Sequence, residues 1–369
     1  MTARLLTPLA LIGALLLVVQ GCGDSPEAYD ASGNDSDSSD SGYVTWQQVR
    51  DGPVTRTNPE TGVTWTILGI RTDEGDRTRA LQNAESTLAN HPDIAGMIGL
   101  WAYNPPAILD AVESRDMLDQ VTIVGFDEDE RTLSGIGQGK IVGTVVQNPY
   151  GFGFRSVQHL SAVIRDQDVA VPEDGLMYVP TYVVNTENVA EYSSLIRLMR
   201  DRRGPVLPYV ADAYDATEGV SMHFVTNVAD PFWELAKEGC ELGAEHFNAE
   251  VTFFVPPTGQ VAEQLAHVET MIVNEVDGLA ISVRSPEGQV GMVNDWCEHM
   301  AVITVDSDAA DSDRLFYLGT NNVAAGAQAG QMLADANPDG GKVMIFVGAL
   351  DQANAYQRSQ GVIDALFGQ

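Results

Sequence analysis

The stretch Ser221-Met-His-Phe-Val-Thr-Asn-Val-Ala-Asp-Pro-Phe-Trp233 decides how this chain folds. Its apolar run, residues 222–225, is typical of a buried strand. A polar loop follows, and Pro231 then suits the first turn of a helix because its φ is fixed and it has no N–H to leave unpaired. Open α/β sheets bind small molecules where strands end in polar and aromatic side chains. The stretch therefore predicts a ligand site at a strand end.

Apolar runs and helical patterns alternate on both sides of this stretch. The alternation is typical of βαβ units and predicts an α/β fold with parallel sheets. The strands are too many for one compact sheet, so we expect two doubly wound parallel-sheet lobes joined by a hinge. The predicted strands span 64–70, 94–100, 121–126, 141–146, 177–184, 222–225, 251–255, 278–282, 302–305, 315–318 and 342–347. The predicted helices span 77–90, 106–114, 129–137, 153–165, 188–200, 232–247, 261–274, 290–299, 322–336 and 355–367.

The charge of the chain limits its partners. Its 369 residues carry a formal net charge of −32, and its lysines are Lys140, Lys237 and Lys342. Such a surface repels the phosphates of nucleic acids and of anionic lipids. We therefore exclude both as partners of the folded part.

The first residues predict export and a lipid anchor. Residues 1–22 have one early charge, Arg4, and an apolar run at 5–19 that is short for a secure membrane span. The ending Val19-Gln-Gly-Cys22 resembles a bacterial lipobox, in which Cys22 is lipidated and becomes the mature N-terminus. The alternative is an ordinary cleaved signal with an incidental cysteine. Residues 23–42 are acidic and nearly devoid of large apolar side chains, and we expect a disordered tether.

The two other cysteines, Cys240 and Cys297, fall in helical patterns. Two separately buried thiols are the favoured interpretation, and a disulfide between them is the alternative in an oxidising compartment. Neither cysteine has the spacing of a metal ligand.

Motifs in two blocks of the chain resemble the ribose-binding-protein-like periplasmic substrate-binding proteins of the type I fold. In residues 215–369 they are Val225-Thr-Asn-Val-Ala-Asp-Pro-Phe-Trp233, Asp277-Gly-Leu-Ala-Ile-Ser282, Val302-Ile-Thr-Val-Asp-Ser307 and Gly319-Thr-Asn-Asn322. In residues 43–200 they are Asp73-Glu-Gly-Asp-Arg77, His91-Pro-Asp-Ile94, Ile123-Val-Gly-Phe-Asp127 and Gly143-Thr-Val-Val-Gln147. The resemblance covers most of the mature chain and implies the family's two-lobed fold.

The order of the two blocks is reversed relative to that family, where the segment near Met222 comes first. The resemblance therefore implies a circularly permuted chain, with residues 201–214 as the linker between the former ends. Folds of this kind tolerate permutation when the natural ends are close and the new cut lies in an exposed loop. The alternative is two adjacent, incomplete fragments.

The resemblance also implies the domain boundaries. We expect one lobe from 43–147, 177–200 and 321–369, equivalent to the family's second lobe. The other lobe takes 148–176 and 215–320, equivalent to the first. Crossings near 147–148, 177 and 320–321 would form the hinge.

A neutral sugar presents hydroxyl groups and flat C–H faces, which suit carboxylates, amides, an arginine fork and aromatic rings. The ligand positions implied by the family are Thr226, Asp230, Phe232, Trp233, Ser282 and Asp306 in one lobe, Arg358, Trp101, Asn104 and Asp127 in the other, and Gln147 at the hinge. The alternatives are that Asp127 and Asp306 cap loops, that Phe232 and Trp233 belong to the core, that Arg358 pairs with an acid on a helix surface, and that Trp101 and Asn104 shape a turn.

Three positions depart from the family's pattern. Ser307 stands where an arginine often follows the aspartate, Trp101 stands where an asparagine is frequent, and Gly75 stands where an aromatic residue is frequent. These differences leave a pentose, a hexose or another polyol open as the ligand.

The resemblance implies a lipid-anchored receptor of the periplasm or cell envelope that captures a sugar and delivers it to an ABC-transporter permease. We expect a monomer that meets the membrane only through its anchor. One alternative is an envelope receptor that feeds a membrane kinase or chemoreceptor, and another is a carbohydrate-active enzyme. The six histidines are scattered and none lies beside a plausible nucleophile, so we expect no catalysis, no cofactor and no metal.

Overall fold

The computed structural model describes residues 42–200, 214 and 216–369. The predicted signal peptide with Cys22, nearly all of the predicted tether and nearly all of the predicted linker lie outside these residues. The described elements belong to one compact unit, Val44–Gln369. Its strands are β1 (Val54–Thr57), β2 (Thr64–Thr72), β3 (Gly96–Gly99), β4 (Thr122–Phe126), β5 (Gly143–Val146), β6 (Leu176–Tyr178), β7 (Tyr182–Asn185), β8 (Val220–Val225), β9 (Ala249–Phe254), β10 (Gly278–Ile281), β11 (Ala301–Val305), β12 (Tyr317–Gly319) and β13 (Gly341–Val347).

Helices separate most of these strands, as the sequence predicts. They are α1 (Trp46–Asp51), α2 (Arg77–Asn90), α3 (Asn104–Ser114), α4 (Glu130–Gly137), α5 (Pro149–Ile164), α6 (Val189–Arg200), α7 (Phe232–Phe247), α8 (Val261–Val273), α9 (Val290–Cys297), α10 (Asn322–Ala336) and α11 (Ala353–Phe367). The predicted α/β class is confirmed. Among the described residues, none of the helices has the length and apolar character to cross a membrane.

The six-stranded sheet has the order β6-β12-β11-β10-β8-β9, and all of its pairings are parallel. Buried apolar side chains cover both of its faces. On one face Phe224 and Trp233 pack with α5 and α7, and on the other Leu279 and Val268 pack with α8 and α9. A parallel sheet needs both faces covered, which explains the nearly continuous apolar strands.

The seven-stranded sheet has the order β1-β2-β13-β3-β4-β5-β7. Its five inner strands are parallel, and β1 and β7 run antiparallel at the two edges. One face packs on α10 and α11 through residues such as Leu333 and Leu366, and the other packs on α2 and α3 through residues such as Leu88 and Val112. Each sheet is therefore the centre of its own core.

The two sheets share one spatial layout but differ in chain order. In the six-stranded sheet, β8 lies between β9 and β10, and β11 and β12 follow outward. In the seven-stranded sheet, β13 takes the place of β8, between β2 and β3, with β4 and β5 outward. Along the chain, β8 precedes β9 to β12 of its sheet, whereas its equivalent β13 comes after every other strand of its sheet. A circular permutation requires this arrangement, and the permutation itself stays a prediction.

The beginning of the described fold lies beside the last residue. The backbone N–H of Val44 donates to Oε1 of Gln369 at 2.9 Å, and Nε2 of Gln369 donates to the carbonyl of Val44 at 2.7 Å. Gln360 of α11 also bonds the backbone of Val44 and Trp46. The helix α1 is held against α11 by these contacts.

Each lobe contains a pair of helices that touch backbone to backbone. A Cβ atom on Gly153 of α5 would lie 1.9 Å from the carbonyl oxygen of Ala236 in α7, and one on Gly326 of α10 would lie 2.0 Å from that of Arg358 in α11. Gly239 and Gly361 make the reciprocal close approaches three residues later in α7 and α11. Position 236 in one lobe is therefore equivalent to position 358 in the other.

Three crossings connect the lobes. Two lie near the predicted residues, at Gln147-Asn148 between β5 and α5 and at Thr320-Asn321 between β12 and α10. The third differs from the prediction, because Met177 lies in β6 and pairs with Leu318 of the six-stranded sheet. The chain crosses only after Tyr178, so the predicted single stretch 177–184 is two strands in two sheets. The short elements α1 and β1 were not predicted.

Candidate ligand-binding cleft

Two aspartates end equivalent strands of the two sheets. Asp127 follows β4 and Asp306 follows β11, each of which is the fourth strand in the shared layout. Both have a left-handed backbone conformation, with φ of 64° and 63°. Non-glycine residues adopt this conformation at a cost, which is commonly accepted at binding sites. The predicted position of both carboxylates at strand ends is what the structure shows.

Arg358 lies inside the protein, with 2% of its surface exposed. Its Nε donates to Oδ1 of Asn322 at 2.9 Å, and its Nη1 donates to the carbonyl of Leu100 at 3.0 Å. The guanidinium also lies 4.0 Å from the centre of the Phe126 ring. Burial lowers the pKa of Arg358, while Asp127 and Asp306 raise it. The alternative that Arg358 is a helix-surface residue is therefore wrong.

Gln147 connects these groups at the hinge. Its Nε2 donates to Oδ1 of Asp127 at 2.8 Å, and its Oε1 accepts from Nη2 of Arg358 at 2.7 Å and from Oγ1 of Thr320 at 3.0 Å. Gln147 and Thr320 stand at two of the three crossings. The amide of Gln147 thus connects both crossings to Asp127 and Arg358 by hydrogen bonds. A buried polar network whose members are all paired makes such a region rigid.

The two aspartates share one electrostatic environment. Burial raises the pKa of Asp127 to about 6, and Arg358 opposes this rise, while Asp306 and Asp230 add to it. Burial likewise raises the pKa of Asp306 to about 6, again opposed by Arg358. Charges act on one another in this way only over short distances. Charged groups of both lobes therefore act on one another.

The six-stranded lobe adds three predicted polar residues. Oγ of Ser282 donates to Oδ2 of Asp306 at 3.4 Å, Oγ1 of Thr226 donates to the carbonyl of Val228 at 3.1 Å, and Oδ1 of Asp230 accepts from the N–H of Phe232 at 2.9 Å. Ser282 and Thr226 are fully buried, whereas Asp230 is partly exposed. Asp230 thus begins α7 and leaves its second carboxylate oxygen available.

Gln264 was not predicted, yet it fixes two of these strand ends. Its Nε2 donates to the carbonyls of Thr226 and Ser282 at 2.9 and 2.8 Å, and the residue is fully buried. No pattern around Gln264 reveals this role, because its partners are 38 and 18 residues away along the chain. It positions the loops after β8 and β10.

The two predicted aromatic residues of α7 differ in their surroundings. Trp233 is buried and packs against Phe224, with ring centres 5.9 Å apart. Phe232 is only partly buried and lies 6.2 Å from the ring of Phe152. The structure thus places Trp233 in the core and leaves Phe232 partly exposed at the edge of the same core.

In the other lobe, Trp101 and Asn104 form one turn. Oδ1 of Asn104 accepts from the N–H of Trp101 at 3.1 Å, and its Nδ2 donates to Oδ2 of Asp73 at 2.8 Å. Burial raises the pKa of Asp73, which Tyr103 and Asn104 oppose through their hydrogen bonds. Asn104 is buried, and its amide bonds Trp101 within the turn and Asp73 outside it. The turn-shaping role that we considered for it is what its contacts show.

Two polar atoms on this side are buried without a hydrogen-bond partner, Nε1 of Trp101 and Oδ1 of Asn354. Native proteins rarely leave such atoms unpaired unless a ligand or water meets them. Asn354 was not predicted. It lies one turn before Arg358 on the same face of α11, and the equivalence of the helix pairs places it where Phe232 lies in α7. The internal symmetry of the chain is the signal that could have found it.

Metal ligands are not grouped in the described part of the chain. No cluster of three or more His, Cys, Asp or Glu residues there could hold an ion. Cys240 and Cys297 are both free thiols, and burial raises the pKa of each, Cys297 to about 11. The alternative of a disulfide between them is therefore wrong.

Comparison with known proteins gives matches in both blocks of the chain. A family model described as a periplasmic binding protein domain matches residues 59–168 and 222–368. Ribose import binding protein RbsB of Haemophilus influenzae is 26% identical over 145 residues, which are 38% of this chain and 49% of that protein.

Solved structures show similar partial matches. A solute-binding protein of an ABC transporter from Burkholderia graminis, in complex with D-arabinose, is 31% identical over 42% of this chain and 53% of that chain, with a TM-score of 0.39. The glucose-galactose binding protein GanP of Geobacillus stearothermophilus is 27% identical over 40% of this chain and 54% of its own, with a TM-score of 0.38. The chain thus spans about half the length of the relatives that it matches.

Proposed function

The chain belongs to the periplasmic binding protein domain family, and from this premise we propose that it captures a sugar or sugar-like ligand between its two lobes and delivers it to an ABC transporter. The observation that carries the proposal is the pairing of Asp127 and Asp306, from equivalent strand ends of opposite lobes, around the buried Arg358. Carboxylates and a guanidinium fork suit the hydroxyl groups of a polyol. The similarity to a ribose import binding protein adds support.

Capture would proceed by hinge closure. Three crossings join the lobes, and Gln147 bonds Thr320 across two of them. A ligand favours closure only by the greater affinity that it has for the closed state. A ligand held by Asp127 on one side and Asp306 on the other has that property, because its second set of bonds forms only when the lobes meet.

The cellular setting is proposed from the family and from the first residues. We place the protein in the periplasm or cell envelope, attached through lipidated Cys22 and the tether, with the permease as its partner. The anchor can be tested in cells that express the chain and are grown with a radioactive fatty acid. The chain should become labelled, and its Cys22→Ser variant should not.

A thermal-shift screen of the full chain tests the binding function. The probes are mono- and disaccharides, polyols and nucleosides, and at 100 times the dissociation constant a true ligand adds about 2.7 kcal/mol to the free energy of unfolding. Asp127→Ala and Asp306→Ala should each abolish the shift. Asp93→Ala is the matched control, because Asp93 is exposed and bonds Lys342 far from the cleft.

Two results would count against the proposal. If no probe raises the melting temperature, the sugar-binding function is wrong. If a probe does so equally in both cleft variants, the site is wrong although the function stands.

A further inference from the structure

We propose that the ligand of this cleft carries a protonated amine, as in an amino sugar or an aminopolyol, and that the amine binds between Asp127 and Asp306. The inference rests on the proposed function, since it assumes that the cleft is the ligand site. It is drawn from the charges that meet there and from the hydrogen bonds that those charges already make.

Negative charge exceeds positive charge in the cleft. The charged groups that act most strongly on the carboxylate of Asp127 are Arg358, Asp306 and Asp230. When all four groups are ionised, three carboxylates face one guanidinium and leave two negative charges. Ser307, which directly follows Asp306, is buried and contributes no charge.

No lysine of the chain can correct this balance. Lys140 pairs with Glu113 at 2.7 Å and Lys342 pairs with Asp93 at 2.6 Å, both on the surface. Lys237 is exposed on α7 and lines a surface cavity with Glu241 and Val251. Arg358 is the cation whose charge lowers the pKa of both aspartates, and a cation carried by the ligand would offset the remaining negative charge.

Arg358 does not bond the aspartates directly. Its hydrogen bonds go to the neutral oxygens of Asn322, Leu100 and Gln147. It is held in place before any ligand arrives and acts on Asp127 and Asp306 across space. Their outer oxygens are therefore free to accept from a ligand, and Asp306 has only a 3.4 Å bond from Ser282.

The unpaired atoms of the other wall fit an amine-bearing polyol. An ammonium group has three N–H donors and no acceptor. Asp127 and Asp306 take two of these donors, and Oδ1 of Asn354, buried and without a partner, is a third acceptor one turn from Arg358. Nε1 of Trp101, a buried donor without a partner, takes a hydroxyl or ring oxygen of the same ligand.

Closure of the lobes makes the charge of the ligand important. Two carboxylates shut away from water are unfavourable unless a cation or several donors meet them. A neutral sugar leaves both excess charges in place. It should therefore bind better when an aspartate is protonated, whereas a cationic ligand should bind better when both are ionised. The affinities of the two kinds of ligand should change with pH in opposite directions.

Calorimetric titration of the full chain tests the inference with matched pairs of ligands. The probes are D-glucosamine, D-galactosamine and D-mannosamine, each beside its neutral hexose and its N-acetyl derivative, at about pH 6.8 and about pH 5, on either side of the aspartate titration. One amino sugar should bind at least about tenfold more tightly than its two neutral analogues at the higher pH. The ratio of its affinity to the affinities of its neutral analogues should be smaller at the lower pH.

A variant separates charge from shape. Asp306→Asn keeps the size of the side chain and removes its charge, so it should reduce the preference for the amino sugar about tenfold. Asp93→Asn is the control and should leave the preference unchanged. A neutral hexose or pentose that binds as tightly as the amino sugars overturns the inference and leaves the proposed function intact. Failure of every sugar to bind overturns both.

Discussion

The two lobes use the same backbone to build their walls of the cleft but not the same charges. At one helix crossing, Gly153 touches the backbone of Ala236, and at the equivalent crossing Gly326 touches the backbone of Arg358. Position for position, an alanine in one lobe stands where the other has a buried cation. The strand ends, in contrast, carry an aspartate in both lobes. The fold therefore supplies two equivalent walls, and single side chains decide which wall carries the cation.

Replacement of Arg358 should have the largest effect. Arg358→Met removes the cation that opposes the raised pKa of both aspartates and takes one hydrogen bond from each of its three acceptors. Loss of one member of a buried charged group costs about 3–5 kcal/mol in the free energy of unfolding. Urea denaturation at neutral pH measures the loss.

The control for this variant is an arginine at the surface. Arg131→Met breaks the ion pair with Asp110, whose side chains are both exposed, and should cost no more than about 1 kcal/mol. Equal losses in the two variants would show that Arg358 is not held in a buried charged network.

The paired glycines allow the walls to be compared directly. A Cβ atom would collide with a carbonyl at 1.9 Å in Gly153→Ala and at 2.0 Å in Gly326→Ala. Each should cost about 1–3 kcal/mol in stability, because the helices must move apart. Only Gly326→Ala moves Arg358, so this variant should weaken ligand binding in calorimetry more than Gly153→Ala, which displaces α7 near Ala236. An equal loss of affinity in both would contradict the assignment of Arg358 to the site.

The pH dependence of stability tests the burial of the carboxylates. The pKa of Asp306 is about 6 in the folded protein against 3.8 for the ordinary group, so the folded state holds its proton more tightly. Its contribution to stability is therefore complete below about pH 4 and is lost as the pH rises through 6. Asp306→Asn should thus be more stable than the parent by about 1–2 kcal/mol at pH 7, allowing for partial exposure, with the difference shrinking toward pH 4. A variant less stable than the parent at pH 7 would contradict this sign.

Restoring the family's chain order should have the smallest effect. The chain can be rebuilt to begin at residue 216, pass from Gln369 to Val44 through a short Gly/Ser linker, and end at residue 200. Val44 and Gln369 already share hydrogen bonds, so every contact of both sheets is kept. We expect the rearranged chain to have the same melting temperature and ligand affinity as the original chain. Failure of this chain to fold would oppose the interpretation of the order as a circular permutation.

Much of the fold could be predicted from the sequence because its signals are local. The bounds of α2, α7 and α10 agree with the prediction because local sequence signals mark where each helix begins. Before α2, for example, the side chain of Asp76 accepts hydrogen bonds from two N–H groups of the first turn. The strand–helix alternation gives the two sheets. The splitting of 177–184 was missed, because only the tertiary partners of β6 and β7 separate them.

Residues of the candidate site could be located from the sequence where they end a strand, and were missed where distant contacts define their positions. Asp127 and Asp306 stand directly after apolar strands, and the resemblance pointed to Arg358. Gln264 and Asn354 lie within ordinary helical patterns. Only the folded protein shows that the amide of Gln264 bonds a strand end and that Oδ1 of Asn354 is buried without a hydrogen-bond partner. Trp233 and Phe232 are adjacent in sequence, and only packing separates the buried residue from the partly exposed one.

The most direct test of capture between two lobes is a distance between them. Spin labels at Thr78→Cys and Ala262→Cys, exposed positions in the first turns of α2 and α8, report on equivalent points of the two lobes once Cys22 and Cys297 are replaced by serine. Addition of the ligand found in the screen should shorten and narrow the measured distance distribution, and Asp306→Ala should prevent this change. A distribution that the bound ligand leaves unaltered would contradict capture by closure of the lobes.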